Sequence, residues 1–191
     1  NVCLLGFTLF GVGGCIQGVL GYLPTYLRDI GWEAVRADGA LSAFHTISMI
    51  FVLPVAIWSD KLNARKYLLL LAALMVALGA GLLSFASGVW IWAAVLMAGF
   101  VRDAFMAIFL TMVIEVDGVG PVYAGTATGF VMAISGLGNF IAPPLGNSLA
   151  VLWPGAPFAL WAGLTVLGMV CLSLVKERST NVPSLVLECA L

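Results

Sequence analysis

The feature that most restricts what this chain can fold into is a series of six long apolar runs. Mostly apolar residues fill 2–27, 37–58, 67–86, 89–114, 123–150 and 157–175. Each run is near the roughly 20 residues that a helix needs to cross the hydrocarbon of a bilayer. Inside lipid every main-chain polar group must find a partner within the protein, so only helices and closed barrels can span. Barrel strands alternate apolar with polar over about ten residues, whereas these runs are longer and do not alternate. Hydrophobic residues make up 62% of the chain and charged residues 9%, against about 45–50% and 25% in soluble domains. The chain is therefore expected to be an all-α integral membrane protein of six transmembrane helices. These form a domain over 1–176, followed by a C-terminal tail, 177–191, polar at first and ending in a short apolar LVLECAL, with the lipid bilayer as the domain's first partner.

The same composition excludes other classes. A net charge of −1 leaves no basic footprint for nucleic acid. Cys3, Cys15, Cys171 and Cys189 form no CxxC and no Cys/His cluster, so neither a metal site, a disulfide framework nor a cofactor is expected. No nucleophile–base pair stands out, and an intramembrane protease would need a serine partnered by His45, the single histidine. The opening NVCLLGF has no secretory signature and begins with Asn; a preceding segment or a processed chain is expected.

Charge is concentrated in IWSDKLNARKYL, where Asp60, Lys61, Arg65 and Lys66 fall between two apolar runs. That side of the membrane carries Lys61, Arg65, Lys66, Lys176 and Arg178, and the other only Arg28 and Arg36. Cytoplasmic loops are rich in Lys and Arg, so both ends of the chain are expected in the cytoplasm. Glycines four apart, Gly14 with Gly18 and Gly125 with Gly129, would let helix backbones approach closely, and Pro24, Pro143 and Pro144 would kink their helices.

Polar groups within the runs are candidates for function, because a charge at mid-membrane is costly. Arg102 and Asp103 lie at the centre of the fourth run. Neighbours on a helix diverge by about 100° and should not face one partner. Arg102 could grip an anion with its bidentate fork, and Asp103 could be its counter-ion or a proton-coupling carboxylate; the alternative is a structural pair buried between helices. Gln17 faces either a cavity or a neighbouring helix. His45 is a packing residue or a proton relay, and Asn139 is interhelical glue or a cavity group. Tyr22, with Tyr26, belongs to an outer cavity mouth or to an aromatic belt. Glu115 pairs with the basic loop or sits at the interface.

Three stretches carry a resemblance: GYLPTYLRDIGW (21–32), SDKLNARK (59–66) and EVDGVGPVYAGTATGF (115–130). In order and spacing they resemble the C-terminal six-helix half of a major facilitator superfamily transporter. The second is similar to that family's signature loop, with Asn63 where glycine is usual and Ala56 where the preceding glycine would stand. The resemblance implies alternating access by a secondary transporter in the plasma (inner) membrane, acting on a small-molecule substrate, with an N-terminal six-helix half as partner. It implies that Asp60, Lys61, Arg65, Lys66 and Glu115 form a conformational gating loop, so that Asp60→Asn should alter transport rate more than affinity. It places Arg102, Asp103, Gln17, Tyr22, His45 and Asn139 along a substrate or ion pathway. An organic or inorganic anion is the expected cargo. Efflux of a drug-like compound, or a non-transporting six-helix receptor, are the alternatives.

Overall fold

Each apolar run becomes helix because lipid offers its main-chain N–H and C=O groups no other partner. The computed structural model describes residues 1–62, 65–116 and 119–175. In chain order its helices are α1 (Val2–Asp29), α2 (Ala34–Leu62), α3 (Arg65–Leu83), α4 (Val89–Phe100), α5 (Arg102–Glu115), α6 (Gly120–Leu149) and α7 (Ala156–Leu174). Six spans are long and apolar enough to cross a membrane, with α4 and α5 together forming the fourth. Asn63, Lys176, Arg178, Cys189 and the expected tail lie outside the described residues, as does the side chain of Asp60.

The ends of the helices follow local chemistry. α1 stops where Gly31 takes φ +92. The Trp32 N–H then donates to the Leu27 carbonyl at 2.9 Å and the Gly31 N–H to that of Arg28 at 3.0 Å, which closes the last turn as a Schellman cap. Arg28 pairs with Asp38 at 2.6 Å across this turn. The gap between the first two apolar runs, 28–36, is thereby mostly helical, with α1 reaching Asp29 and α2 starting at Ala34. At the opposite end α2 continues through Lys61, so part of the charged stretch is helical.

α1 runs through the middle of the bundle, packed most extensively on α6 and α7; α3 joins α7 to α4, and α2 lies on α4 and α5. The α1 seams are built from close backbone approach. A Cβ on Gly138 of α6 would lie 2.5 Å from the Phe10 carbonyl oxygen, and one on Gly11 would lie 2.3 Å from that of Leu164 on α7. Between them sits Trp161, fully buried, whose ring occupies the space a Cβ would need on both Gly18 and Gly146. Its Nε1–H donates to the Ala142 carbonyl at 2.7 Å, next to Pro143 and Pro144. Trp161→Phe is expected to cost about 1–1.5 kcal/mol through that lost bond, read as a lower Tm in detergent; an unchanged Tm would show that the bond contributes nothing.

Gly14 takes part in the same seam, with its Cβ position 2.9 Å from Ala142. Gly125 and Gly129, at identical spacing, meet nothing within 4 Å. Their helix is also among the least covered: 28% of the α6 span is buried and 17% of the α2 span, against 56% for α1.

Candidate functional site

The fourth span is interrupted at Val101, between α4 and α5. α2 packs against this point. A Cβ on Gly99 would stand 2.7 Å from the Phe44 carbonyl oxygen, so α2 and α4 touch backbone to backbone there. One turn beyond Phe44, the buried Ser48 hydroxyl accepts the Asp103 main-chain N–H at 3.0 Å. A helix N–H that leaves its ladder inside lipid needs such a partner, and Ser48 supplies it. His45 stands three residues before Ser48, on the same side of α2, and so reaches the first residue of α5. Arg102 Nη1 and His45 Nδ1 are 2.8 Å apart.

Guanidinium has only donors, so His45 Nδ1 must be the acceptor. Arg102 Nε is 3.6 Å from Asp103 Oδ1, a Coulombic neighbour beyond hydrogen-bond distance. The acidic Asp103 also sits in the first turn of α5, where the helix dipole favours it.

Arg102 and Asp103 line one cavity of about 140 Å³, together with Gln17 of α1 and Ser135 and Asn139 of α6. Both therefore border one cavity although they are adjacent on α5. Asn139 Oδ1 is buried without a hydrogen-bond partner, and Gly13 leaves room for it, since a Cβ there would lie 3.0 Å away. The volume corresponds to about four or five waters. It suits a small polar solute.

Tyr22 is not brought to this cavity. It is buried against Phe158 and Trp161 of α7, and its hydroxyl donates to the Pro154 carbonyl at 3.3 Å. Tyr26 joins the same aromatic cluster and donates to the Leu83 carbonyl at 3.2 Å. Both tyrosines lock α1 to its neighbours.

The basic stretch forms a separate set, because Glu115 ends the helix that Arg102 begins, about 20 Å away at helical rise. Arg65 pairs with Glu115. Lys66 Nζ donates to the carbonyls of Ser173 at 2.9 Å and Val175 at 2.6 Å, which serves the open C-terminal end of α7. Lys61 is exposed at the rim of a second, larger cavity. That cavity, about 480 Å³ between α2, α3 and the α4–α5 span, is lined by apolar side chains such as Phe51, Trp58, Met75 and Phe105. It holds the greater volume but, Lys61 aside, lacks polar groups to orient a solute, so the smaller cavity is the candidate site.

The Major Facilitator Superfamily model matches residues 5–186. The chain belongs to that superfamily. No curated protein matches it. Membership makes the chain a secondary transporter of a small solute, embedded in and contacting lipid, in a family whose members are generally not enzymes.

Ser48 and Ser135 are the transporter residues that sequence reasoning missed. Each carries a legible signal: Ser48 lies three residues from His45, and Ser135 four from Asn139. At those spacings two polar side chains share a face of an otherwise apolar helix.

Proposed function

We propose that this transporter carries a small organic or inorganic anion through the Arg102 cavity by alternating access. The observation that carries the reading is Arg102 itself: a permanently charged fork at mid-span whose direct partner is a single imidazole nitrogen. Arg102 thus keeps donors for an incoming oxyanion, and Asp103 is its counter-ion when the cavity is empty. The uncovered faces of α2 and α6 are the surfaces on which a second six-helix unit would close the other wall. The basic end faces the cytoplasm, where the Arg65–Glu115 and Lys66–α7 contacts brace the ends of α3, α5 and α7.

Uptake of a panel of small anions by vesicles carrying the full-length transporter tests the proposal. Transport of at least one anion should be lost in Arg102→Ala; an Arg102→Ala protein that carries its anion at the original rate overturns it. In the same assay Glu115→Gln should change the rate and leave the concentration for half-maximal uptake unmoved. A change confined to apparent affinity would remove the bracing role.

The large aromatic cavity beside α3 favours a second reading, transport of an amphipathic, uncharged or cationic compound. Ala72→Trp would fill that cavity. It should abolish transport of a lipophilic dye under this reading, and spare anion uptake under the first.

A further inference from the structure

We propose that the larger, apolar cavity holds one acyl chain of an anionic membrane phospholipid, with the lipid's phosphate on Lys61. The lipid belongs to the leaflet on the basic side of the protein. The site shares no residue with the path through Arg102 except Phe105, which backs both cavities, and it stands or falls independently of the anion reading.

The cavity is as long as one leaflet is deep. Along α2 it is lined from Phe51 to Lys61, about 15 Å at helical rise. Half of a hydrocarbon core of roughly 30 Å is the same length. The part of α2 suited to cross the membrane ends at Ser59, so Lys61 stands at the depth of the headgroups. Trp58, three residues before Lys61 and exposed, has the amphipathic ring that favours that level. At the other end Phe51 packs on Phe100 of α4, with ring centroids 4.4 Å apart. Phe100 adjoins the interruption at Val101, so the cavity is bounded near the middle of the fourth span.

The walls suit a hydrocarbon chain. Between the two ends they are apolar, with Ala72 and Met75 of α3 facing Phe105 of α5 across about 480 Å³. Left empty, such a space forfeits the dispersion contacts of every group around it. Water in it would find too few polar partners, whereas the surrounding bilayer supplies acyl chains in excess. Charge then selects the headgroup. Within the basic stretch Arg65 is paired with Glu115, and Lys66 Nζ is held by the carbonyls of Ser173 and Val175. Lys61 is exposed and has no ion-pair partner among the described residues. No described carboxylate borders the cavity. The Lys61 ammonium therefore has its three N–H donors available to phosphate oxygens, and a basic residue between spanning helices at this depth is the chemistry that holds anionic headgroups.

The test uses the full-length transporter in mild detergent, offered phosphatidylglycerol and phosphatidylcholine with identical chains, and native mass spectrometry to count the lipids it keeps. One phosphatidylglycerol should be retained, with a preference of about fivefold over phosphatidylcholine, as one basic residue near an anionic headgroup provides. Lys61→Gln should abolish the preference and still retain a lipid. Ala72→Trp should retain neither. Should the tryptophan variant fail to fold, Lys61→Gln still decides, because an exposed side chain at a helix end is replaced without disturbing the core. A preference that survives Lys61→Gln overturns the proposal, as does equal retention of the two lipids by the original protein.

A second measurement separates a seated chain from lipid lying on the surface. Phosphatidylglycerol carrying a diazirine midway along one chain is activated in vesicles that contain the full-length transporter. The label should fall on Phe51, Met75 or Phe105. Labelling confined to Met49 and Leu53, which are 77% and 68% exposed on the outside of α2, would show ordinary surface lipid and overturn the proposal. So would the absence of any label because a second six-helix unit, or the chain's own 177–191 segment, fills the cavity instead.

Discussion

Gly138→Ala should loosen the whole bundle, whereas Gly129→Ala, nine residues away on the same helix, should leave it intact. The new Cβ at 138 would lie 2.5 Å from the Phe10 carbonyl oxygen and 2.9 Å from the Phe10 Cα. Both atoms belong to the α1 backbone, which cannot rotate aside as a side chain can. Relief requires α1 and α6 to separate. That separation also loosens the approach of Gly14 to Ala142 and of Gly18 and Gly146 to Trp161. In lipid no hydrophobic force pulls the helices back together, and packing supplies most of their affinity. Overpacking of this kind costs about 3 kcal/mol. At Gly129 nothing lies within 4 Å, and the change should be neutral or up to about 1 kcal/mol favourable from helix propensity. Unfolding by denaturing detergent reads both. Equal losses at the two sites would mean that the open face of α6 is covered as tightly as the face toward α1.

Arg102→Ala should cut anion transport by at least about a hundredfold, and Arg102→Lys should recover only part of it. A charge-assisted hydrogen bond is worth about 1.5–3 kcal/mol, and about 2.7 kcal/mol is two decades. The guanidinium is the only cation bordering the polar cavity among the described residues, so its loss also leaves Asp103 to repel an anion there. Lysine restores the charge without the planar fork. Vesicle uptake at saturating and subsaturating anion separates the two contributions. A recovery by lysine to the original rate and half-saturation would show that point charge alone suffices and that the fork geometry is irrelevant.

The six spans were legible because hydropathy over 20 residues is a property of consecutive positions. So was the interest of Arg102, since a cation in the middle of an apolar run is costly wherever that run packs. The pairing of Arg102 with His45 was not legible, because it joins residues 57 apart and depends on how closely α2 meets α4 at Gly99. Nor was the interruption at Val101. No proline marks it; a serine hydroxyl on another helix accepts the N–H of Asp103 there. Tyr22 could belong to a cavity mouth or to a belt by sequence; that Phe158 and Trp161 of α7 enclose it was not legible there.

The two glycine pairs draw the boundary most sharply. Gly14 with Gly18 and Gly125 with Gly129 have the same spacing, and the first pair is packed while the second is open. By itself the sequence determined the membrane as solvent, the number of spans and the places where charge or small residues sit. Only the tertiary structure decided which helix each of those places meets. Spacing along one helix fixes the direction of a side chain, whereas its partner depends on the arrangement of all the others.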